Sequence, residues 1–475
     1  MHPSPSDSSN ATQGPWRRTI FLGMDSGVAI RNIIRTDVFA VLKAQPWLRI
    51  VIFGPLVDDE FRREVAAPNV FVEKLPQKKE GAILALLASI RKEIWADKAQ
   101  LFTFGSKRLL KRGRSIRNFL IYHVFRIKSP ERVRSALTRI QKLEERFAPT
   151  HAAPYFDRYQ PDLLFTTTIY SRIHNLEWFA KKRRVPCAAF ILSWDNPTSK
   201  GPFPVRPERV ILWNEILRQE LMDHHDCTEN ELYVSGVPQF DIYAQHERYR
   251  SRDDFHRRWK LDPRLPLITY TTGTPETAPF DDQVVELLYK RIQAGALRQK
   301  VQLLVRLHPK DKIDFYRRFE GLPGLVLQLP GRAGSTADSW NPTHDDMYGL
   351  AELMKYTAVN VNVASTITID AAAFDTPVVN IAFDGLATKP YLESCVRYYD
   401  YEHYKRIVDT GGVRIARNPD EMMHAIQAYL DDPSLESEGR RRIREEQCWK
   451  LDGNSGRRIA EYLIRLMGEE PVKDP

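Results

Sequence analysis

Cysteine is scarce and scattered: Cys187, Cys227, Cys395 and Cys448 are all that the 475 residues contain. With no CxxC pair among them they read as reduced thiols of a cytosolic protein, excluding a disulfide framework and a cysteine zinc site. No stretch of about 18 uncharged apolar residues occurs, so the sequence offers no membrane-spanning helix. The N-terminal residues are polar, rich in Ser and Pro, and lack the apolar segment of a signal peptide, so residues 1–16 are expected to form a disordered tail. Internal repeats and low-complexity tracts are also missing. No Asp-x-Asp stands after a candidate strand, and the acidic pair Asp345-Asp346 precedes a helix whose dipole it suits. Neither a metal nor a cofactor is expected.

What is present is enough apolar material for large cores: 43% hydrophobic residues and 9 tryptophans argue against disorder. A chain of 475 residues exceeds one usual core, so two domains of roughly 200–250 residues are the default. Charge is unevenly placed. Between Arg91 and Lys142 fifteen Lys/Arg face three acids (Glu93, Asp97, Glu131), a net +12 in a chain whose total is +9, so everything else sums to −3. Interleaved with Leu109, Leu110, Ile116, Phe119, Leu120 and Ile121, this segment suits amphipathic helices on an anionic membrane surface. Nucleic acid is the other partner such a patch allows, and solvated basic helices are the plain alternative. The membrane surface is favoured because the apolar residues recur at helical spacing and no nucleic-acid-binding motif accompanies them.

Continuous Val/Ile/Leu runs alternate with helical patterns, as in parallel sheets buried on both faces. Strands are predicted at 19–24, 49–53, 70–73, 163–167, 188–192, 210–213 and 232–235, then at 267–271, 302–307, 325–329, 359–363 and 378–381. Helices are predicted near 29–45, through the basic block, at 170–183, and near 281–295, 311–319, 348–355, 366–374 and 419–430. The expected fold class is α/β, with two doubly wound, Rossmann-like parallel-sheet domains facing each other across a cleft. The first would span 17–244 with the basic helical insertion at 83–146, the second 265–448. A polar linker would cover 245–264, and residues 449–475 would form a returning helix and tail.

The candidate chemistry lies in loops after strands, where such sheets bind ligands. Gly23-Met-Asp-Ser-Gly27 leads into a helix carrying Arg31; its Asp25 is either a carboxylate aimed at a ligand or a helix cap. Ser193-Trp-Asp-Asn-Pro-Thr-Ser-Lys-Gly201 offers Trp194 for stacking, and Asp195, Asn196 and Lys200 for polar contacts. Thr271-Thr-Gly-Thr-Pro275, with Thr272, Gly273 and Thr274, is a turn of the kind that wraps phosphate. Arg306 and His308 close a strand, where buried cations usually await an anion or acceptor. The hydroxyl turn Ser365-Thr366 opens a helix that carries Asp370, placed to reach a sugar hydroxyl.

Several of these segments resemble GT-B glycosyltransferases. They are Val234-Ser-Gly-Val-Pro-Gln-Phe-Asp241, Arg306-Leu-His-Pro309, Ser365-Thr-x3-Asp-Ala-Ala372 and Thr376-Pro-Val378. The Ser193–Gly201 loop is similar to one in bacterial surface-carbohydrate biosynthesis proteins, near the CDP-glycerol glycerophosphotransferases. The resemblance implies a metal-free nucleotide-sugar enzyme with a donor site at Thr272, Gly273, Thr274, Arg306, Ser365, Thr366 and Asp370. The acceptor site would include Arg31, Trp194, Asn196 and Lys200. Asp25 would be the base, with Asp195 as substitute, and His308 would donate to a phosphate or sugar. The expected activity is transfer of a sugar from a nucleotide-sugar donor to a lipid-linked or surface-glycan acceptor, at the cytoplasmic face of the membrane and without nucleic acid. The alternatives are a CDP-glycerol-type polyol-phosphate transferase with His308 as base, a nucleotide-sugar 2-epimerase, and a nucleic-acid-binding protein.

Overall fold

Two all-parallel sheets with helices between their strands make up the computed structural model, which describes residues 15–54, 58–74, 81–112, 116–124, 129–167, 174–331 and 342–471. The first sheet contains β1 (Arg18–Gly23), β2 (Leu48–Phe53), β3 (Val70–Glu73), β4 (Leu163–Thr166), β5 (Cys187–Phe190), β6 (Arg209–Leu212) and β7 (Leu232–Val234), in the order β3-β2-β1-β4-β5-β6-β7. The second contains β8 (Leu267–Thr271), β9 (Gln302–Arg306), β10 (Leu325–Gln328), β11 (Val359–Asn362), β12 (Val378–Ile381) and β13 (Arg414–Ala416), in the order β10-β9-β8-β11-β12-β13. Each order reverses direction beside its first strand, so the loops leaving β1 and β4, and β8 and β11, part around a crevice. β2 shows why the runs are apolar: all six of its residues are buried, because helices cover both faces.

The predicted strands are present within one or two residues of their expected ends. β13 was not anticipated; at three residues with an arginine first, it carries no readable pattern. The single helix expected at 29–45 is two, Gly27–Ile33 and Asp37–Lys43. Between them the Thr36 hydroxyl donates to Asn32 O at 2.8 Å and accepts from Val38 N–H at 3.4 Å, capping the second helix. Residues 311–319 form two short 3₁₀ turns instead of a helix. Part of the helix expected at 170–183, and most of the N-terminal tail, lie outside the described residues.

The polar stretch 245–264 is not a bare linker. It holds the helix Arg252–Trp259, whose Phe255 is buried with Leu267 and Leu304 of β8 and β9. The helix Ser455–Leu466 crosses back to the first sheet's side. Ile459 and Leu463 share a buried cluster with Val38 and Leu42, and a Cβ on Gly456 would lie only 3.0 Å from Val38 N. Asp241 anchors the helix start, accepting the N–H groups of Ser455 and Gly456 at 2.9 and 2.7 Å.

The basic segment forms four helices between β3 and β4: Ala82–Ala99, Phe102–Arg112, Ile116–Val124 and Pro130–Phe147. Part of its charge is neutralised by acids the composition count did not include. Arg91, 1% exposed, pairs with Glu144 at 3.0 Å, and Lys98 and Arg134 both pair with Asp226. Ile83, Leu86, Leu109, Ile116 and Leu120 remain exposed. Among the described residues no helix is long and apolar enough to cross a membrane.

Candidate functional site

Loops from both sheets line one cavity of about 740 Å³. From the first sheet come Asp25, Arg31, Asp195, Asn196 and Lys200; from the second, Thr272, Arg306, His308, Ser365, Thr366 and Asp370.

Asp25 follows β1, where the chain leaves the sheet. The cap of the next helix is Ser26, whose hydroxyl accepts from Ala29 N–H at 3.4 Å, so the aspartate is not spent on the helix end. Its Oδ1 is buried with no hydrogen-bond partner among the described residues. A buried carboxylate oxygen without a donor is costly, and its persistence calls for a ligand or a reaction.

Opposite in charge is a cluster of two half-buried arginines around a buried carboxyl. The Tyr243 hydroxyl donates to Asp370, and the Arg31 and Arg306 guanidiniums favour the charged form of that carboxylate. Burial pushes the Asp370 carboxyl up to about 6, against the Tyr243 hydrogen bond and the two guanidiniums. Burial also lowers Arg306 to about 10, so it stays charged near neutrality, with Nη1 donating to Gln328 Oε1 at 2.6 Å. Arg31 is likewise lowered by burial, opposed by Asp370. Two guanidiniums sharing one carboxylate leave positive charge to face a dianionic ligand such as a diphosphate.

His308 is held as a neutral donor. Its backbone N–H donates to Thr272 Oγ1 at 2.8 Å, and Lys310 N–H donates to its Nδ1 at 3.0 Å, so the proton of the neutral ring sits on Nε2. Burial first, then Lys310, pushes its pKa down to about 4. This geometry suits donation to an oxygen more than proton abstraction.

The Ser365-Thr366 turn is set by its approach. Ala364 adopts φ +29°, an unusual value for a residue with a side chain, and Asn362 Oδ1 accepts Ser365 N–H at 3.3 Å. Behind it runs a buried amide chain: Asn380 Nδ2 donates to Asn362 Oδ1 at 3.1 Å, Asn362 Nδ2 to Asn360 Oδ1 at 2.8 Å, and Asn360 Nδ2 to Thr269 Oγ1 at 2.9 Å. All four residues are fully buried, so satisfied side-chain bonds fix the turn from beneath. The following helix, Ile367–Ala373, has only seven residues, so the hydroxyls matter more here than its dipole.

Three expected site residues lie outside the cavity lining. Trp194 is buried, its ring edge-on to His403 (5.0 Å) and Tyr404 (5.8 Å), with Nε1 donating to Thr366 Oγ1 at 3.2 Å. It packs one loop on the other and leaves no face for a sugar. Gly273 N–H is taken by Asp281 Oδ2 at 2.6 Å, and Thr274 N–H by Thr277 Oγ1 at 3.0 Å, so these two amides are spent inside their own turn. Asp195 lines the cavity but is poorly suited to be a base. Burial would raise its pKa, yet His403, Lys200 and hydrogen bonds from the Ser193 and Ser199 hydroxyls, both 2.6 Å, hold it well below the usual carboxylate range.

Sequence reasoning missed Tyr243 and Gln239, which also line the cavity. Both lie in or just after the Gly236-Val-Pro238 segment, which was the available signal. Among the described residues there is no group of three or more His, Cys, Asp or Glu placed to hold a metal ion.

No protein-family model matches the sequence, and a search of curated proteins finds no match. Solved structures do match in fold. A UDP-bound S. aureus protein, MnaA, superimposes with a TM-score of 0.53 at 12% identity, covering 96% of this chain and 100% of its own. A Methanocaldococcus jannaschii UDP-GlcNAc 2-epimerase bound to UDP-GlcNAc and UDP gives 0.50 at 12% identity, over 94% of this chain and 99% of its own. A glycosyltransferase from Rickettsia africae gives 0.50 at 10% identity, over 95% and 99%. The two doubly wound sheets are thus arranged as in the GT-B fold.

Proposed function

We propose that the chain is a GT-B glycosyltransferase that moves a sugar from a nucleotide-sugar donor to a lipid-linked or surface-glycan acceptor without a metal. The observation that carries this reading is one cavity lined both by Asp25, whose Oδ1 has no partner among the described residues, and by the half-buried cations Arg31 and Arg306. In this reading Asp25 takes the proton of the acceptor hydroxyl as its oxygen attacks the anomeric carbon. The bond from that carbon to the diphosphate breaks, and its electron pair leaves with the diphosphate. Arg306, the Ser365 and Thr366 hydroxyls and His308 Nε2–H then neutralise the departing charge. The exposed apolar side chains of the basic helices would bring the enzyme to the cytoplasmic face of the membrane, where a lipid-linked acceptor resides.

Thermal unfolding against UDP, GDP, CDP and CMP, with magnesium or with EDTA, tests the donor half. One nucleoside diphosphate at about 100 times its dissociation constant should stabilise by roughly 2.7 kcal/mol whether or not magnesium is present. No shift with any nucleotide would sink the donor pocket, and a preference for CDP would favour polyol-phosphate transfer.

A second reading, a nucleotide-sugar 2-epimerase, is favoured by the neighbours whose names carry that activity. Such an enzyme removes and returns a proton at C2, so Asp370, half-protonated near pH 6, would serve beside Asp25. Deuterium entering C2 of UDP-GlcNAc from heavy water, with no acceptor present, would select it over the transferase.

A further inference from the structure

Beside the cavity, cations from three segments converge. Lys107 lies on the helix Phe102–Arg112, Lys200 ends the loop that follows β5 and lines the cavity, and Arg397 lies in the 3₁₀ segment Cys395–Asp400. Tyr401 gathers two of them: Lys107 Nζ lies 5.8 Å from its ring centroid, and Arg397 Nε donates to its hydroxyl at 3.3 Å. Gly201 brings in the third. At φ +90° it sits so close to the neighbouring helices that a Cβ would lie 3.2 Å from Lys92 Cγ and 3.3 Å from Phe104 Cε2, which brings the Lys200 end of the loop against the helix that carries Lys107.

The helix is pinned in this place by reciprocal caps. The Glu402 carboxylate accepts the N–H groups of Phe102 and Thr103, while Thr103 Oγ1 accepts Glu402 N–H at 3.2 Å. Among the described residues none of Lys107, Lys200 and Arg397 makes an ion pair. The Asp195 carboxylate supports the Lys107 charge, against burial and against Lys200, Lys111 and Arg397. That carboxylate already accepts from the Ser193 and Ser199 hydroxyls. Next to it, His403 has a buried Nδ1 with no hydrogen-bond partner among the described residues. Like charges held together at a half-buried spot repel, and an incoming anion relieves that cost. From the same helix and the facing segment, Phe102, Leu109, Tyr391 and Val396 stand 37–44% exposed, with the Phe102 and Tyr391 rings 6.3 Å apart.

We propose that Lys107, Lys200 and Arg397 form an anion subsite, separate from Arg31 and Arg306, that holds the phosphate of an amphiphilic acceptor whose alkyl chain lies along Phe102, Leu109 and Tyr391. The inference rests on the transferase reading and deepens it: the acceptor is a lipid phosphate.

The test titrates the full chain with farnesyl phosphate below its micelle concentration, with farnesol, with inorganic phosphate and with UDP. Lys107→Gln and Lys200→Gln should each weaken farnesyl phosphate about tenfold, as loss of one charge-assisted contact does. Farnesol and inorganic phosphate should each bind at least about tenfold more weakly than farnesyl phosphate, since each keeps one half of the recognition. UDP should bind Lys107→Gln as it binds the wild type, with an unchanged far-ultraviolet circular dichroism spectrum showing that the variant folds. Unchanged farnesyl phosphate affinity in Lys107→Gln overturns the site. A parallel loss of UDP affinity also overturns it, by giving the lysine to the donor diphosphate. Inorganic phosphate binding as tightly as farnesyl phosphate overturns the amphiphile. If the wild type ignores UDP yet shows Lys107-dependent farnesyl phosphate binding, the donor pocket fails and this subsite stands.

Discussion

Asp195 and Asp281 brace loops at the ends of the two sheets by the same device, and they end with opposite affinities for a proton. Asp195 accepts the hydroxyls of Ser193 and Ser199; Asp281 accepts the Tyr270 hydroxyl and Gly273 N–H, both at 2.6 Å. Burial raises the pKa of each. Around Asp195, His403 and Lys200 overturn that effect and hold it ionised. Around Asp281, burial prevails over the two hydrogen bonds, and Asp311 and Asp282 add to it, so its pKa rises to about 7. Hydrogen bonding alone therefore does not decide the charge of a buried carboxyl; the sign of the next neighbours does. Asp25, the third carboxylate, has no brace on Oδ1 among the described residues, which is what separates a group kept for structure from one left for chemistry.

The largest expected effect tests that separation. Asp25→Asn should lower kcat by about 10²–10⁴, the range for losing a general base, while shifting folding stability by less than about 1 kcal/mol. Intact turnover would return Asp25 to the structural class.

Next comes the pH dependence of Asp281. Its folded pKa of about 7 lies above the roughly 3.9 of an unfolded aspartate, so between these values the folded state binds the extra proton. The contribution is fully present below about pH 4 and is lost as pH rises through about 7, a change of roughly 4 kcal/mol in unfolding free energy. Urea unfolding at several pH values should show this slope in the wild type and a flatter one in Asp281→Asn. Equal slopes would mean that Asp281 stays ionised, as Asp195 does.

The smaller effect belongs to Asp195→Asn. The amide still fills the loop, but Lys200 and Lys107 lose their counter-charge. The expected loss is about 2 kcal/mol, below the roughly 3–5 for a fully buried partner because Lys200 is exposed. Added salt should recover part of it. No loss would reduce the brace to shape alone.

Much of the fold was legible because parallel strands covered on both faces must be continuous apolar runs, as β2 and β8 are. The cavity loops were legible for a related reason: each follows a strand whose end is marked by Gly, Pro or a hydroxyl residue. Trp194 shows where that reading stops. An aromatic in a polar loop predicts a stacking surface, but whether its face is open depends on His403 and Tyr404, more than 200 residues away along the chain. The helix Arg252–Trp259 was hidden because its polar face dominates the count while only Phe255 and Trp259 anchor it to the apolar cluster.

The sequence by itself determined two doubly wound sheets, the placement of Asp25, Arg306, His308, Ser365 and Asp370 in loops at strand ends, and the concentration of basic charge between β3 and β4. Those follow from periodicity and local turn chemistry, which act over a few residues. Tertiary structure alone decided which carboxylates hold protons, that Tyr243 meets Asp370 across 127 residues, and that Lys107 and Arg397 both reach Tyr401. Such outcomes depend on desolvation and on charges brought close by folding, and neither exists until the chain has packed.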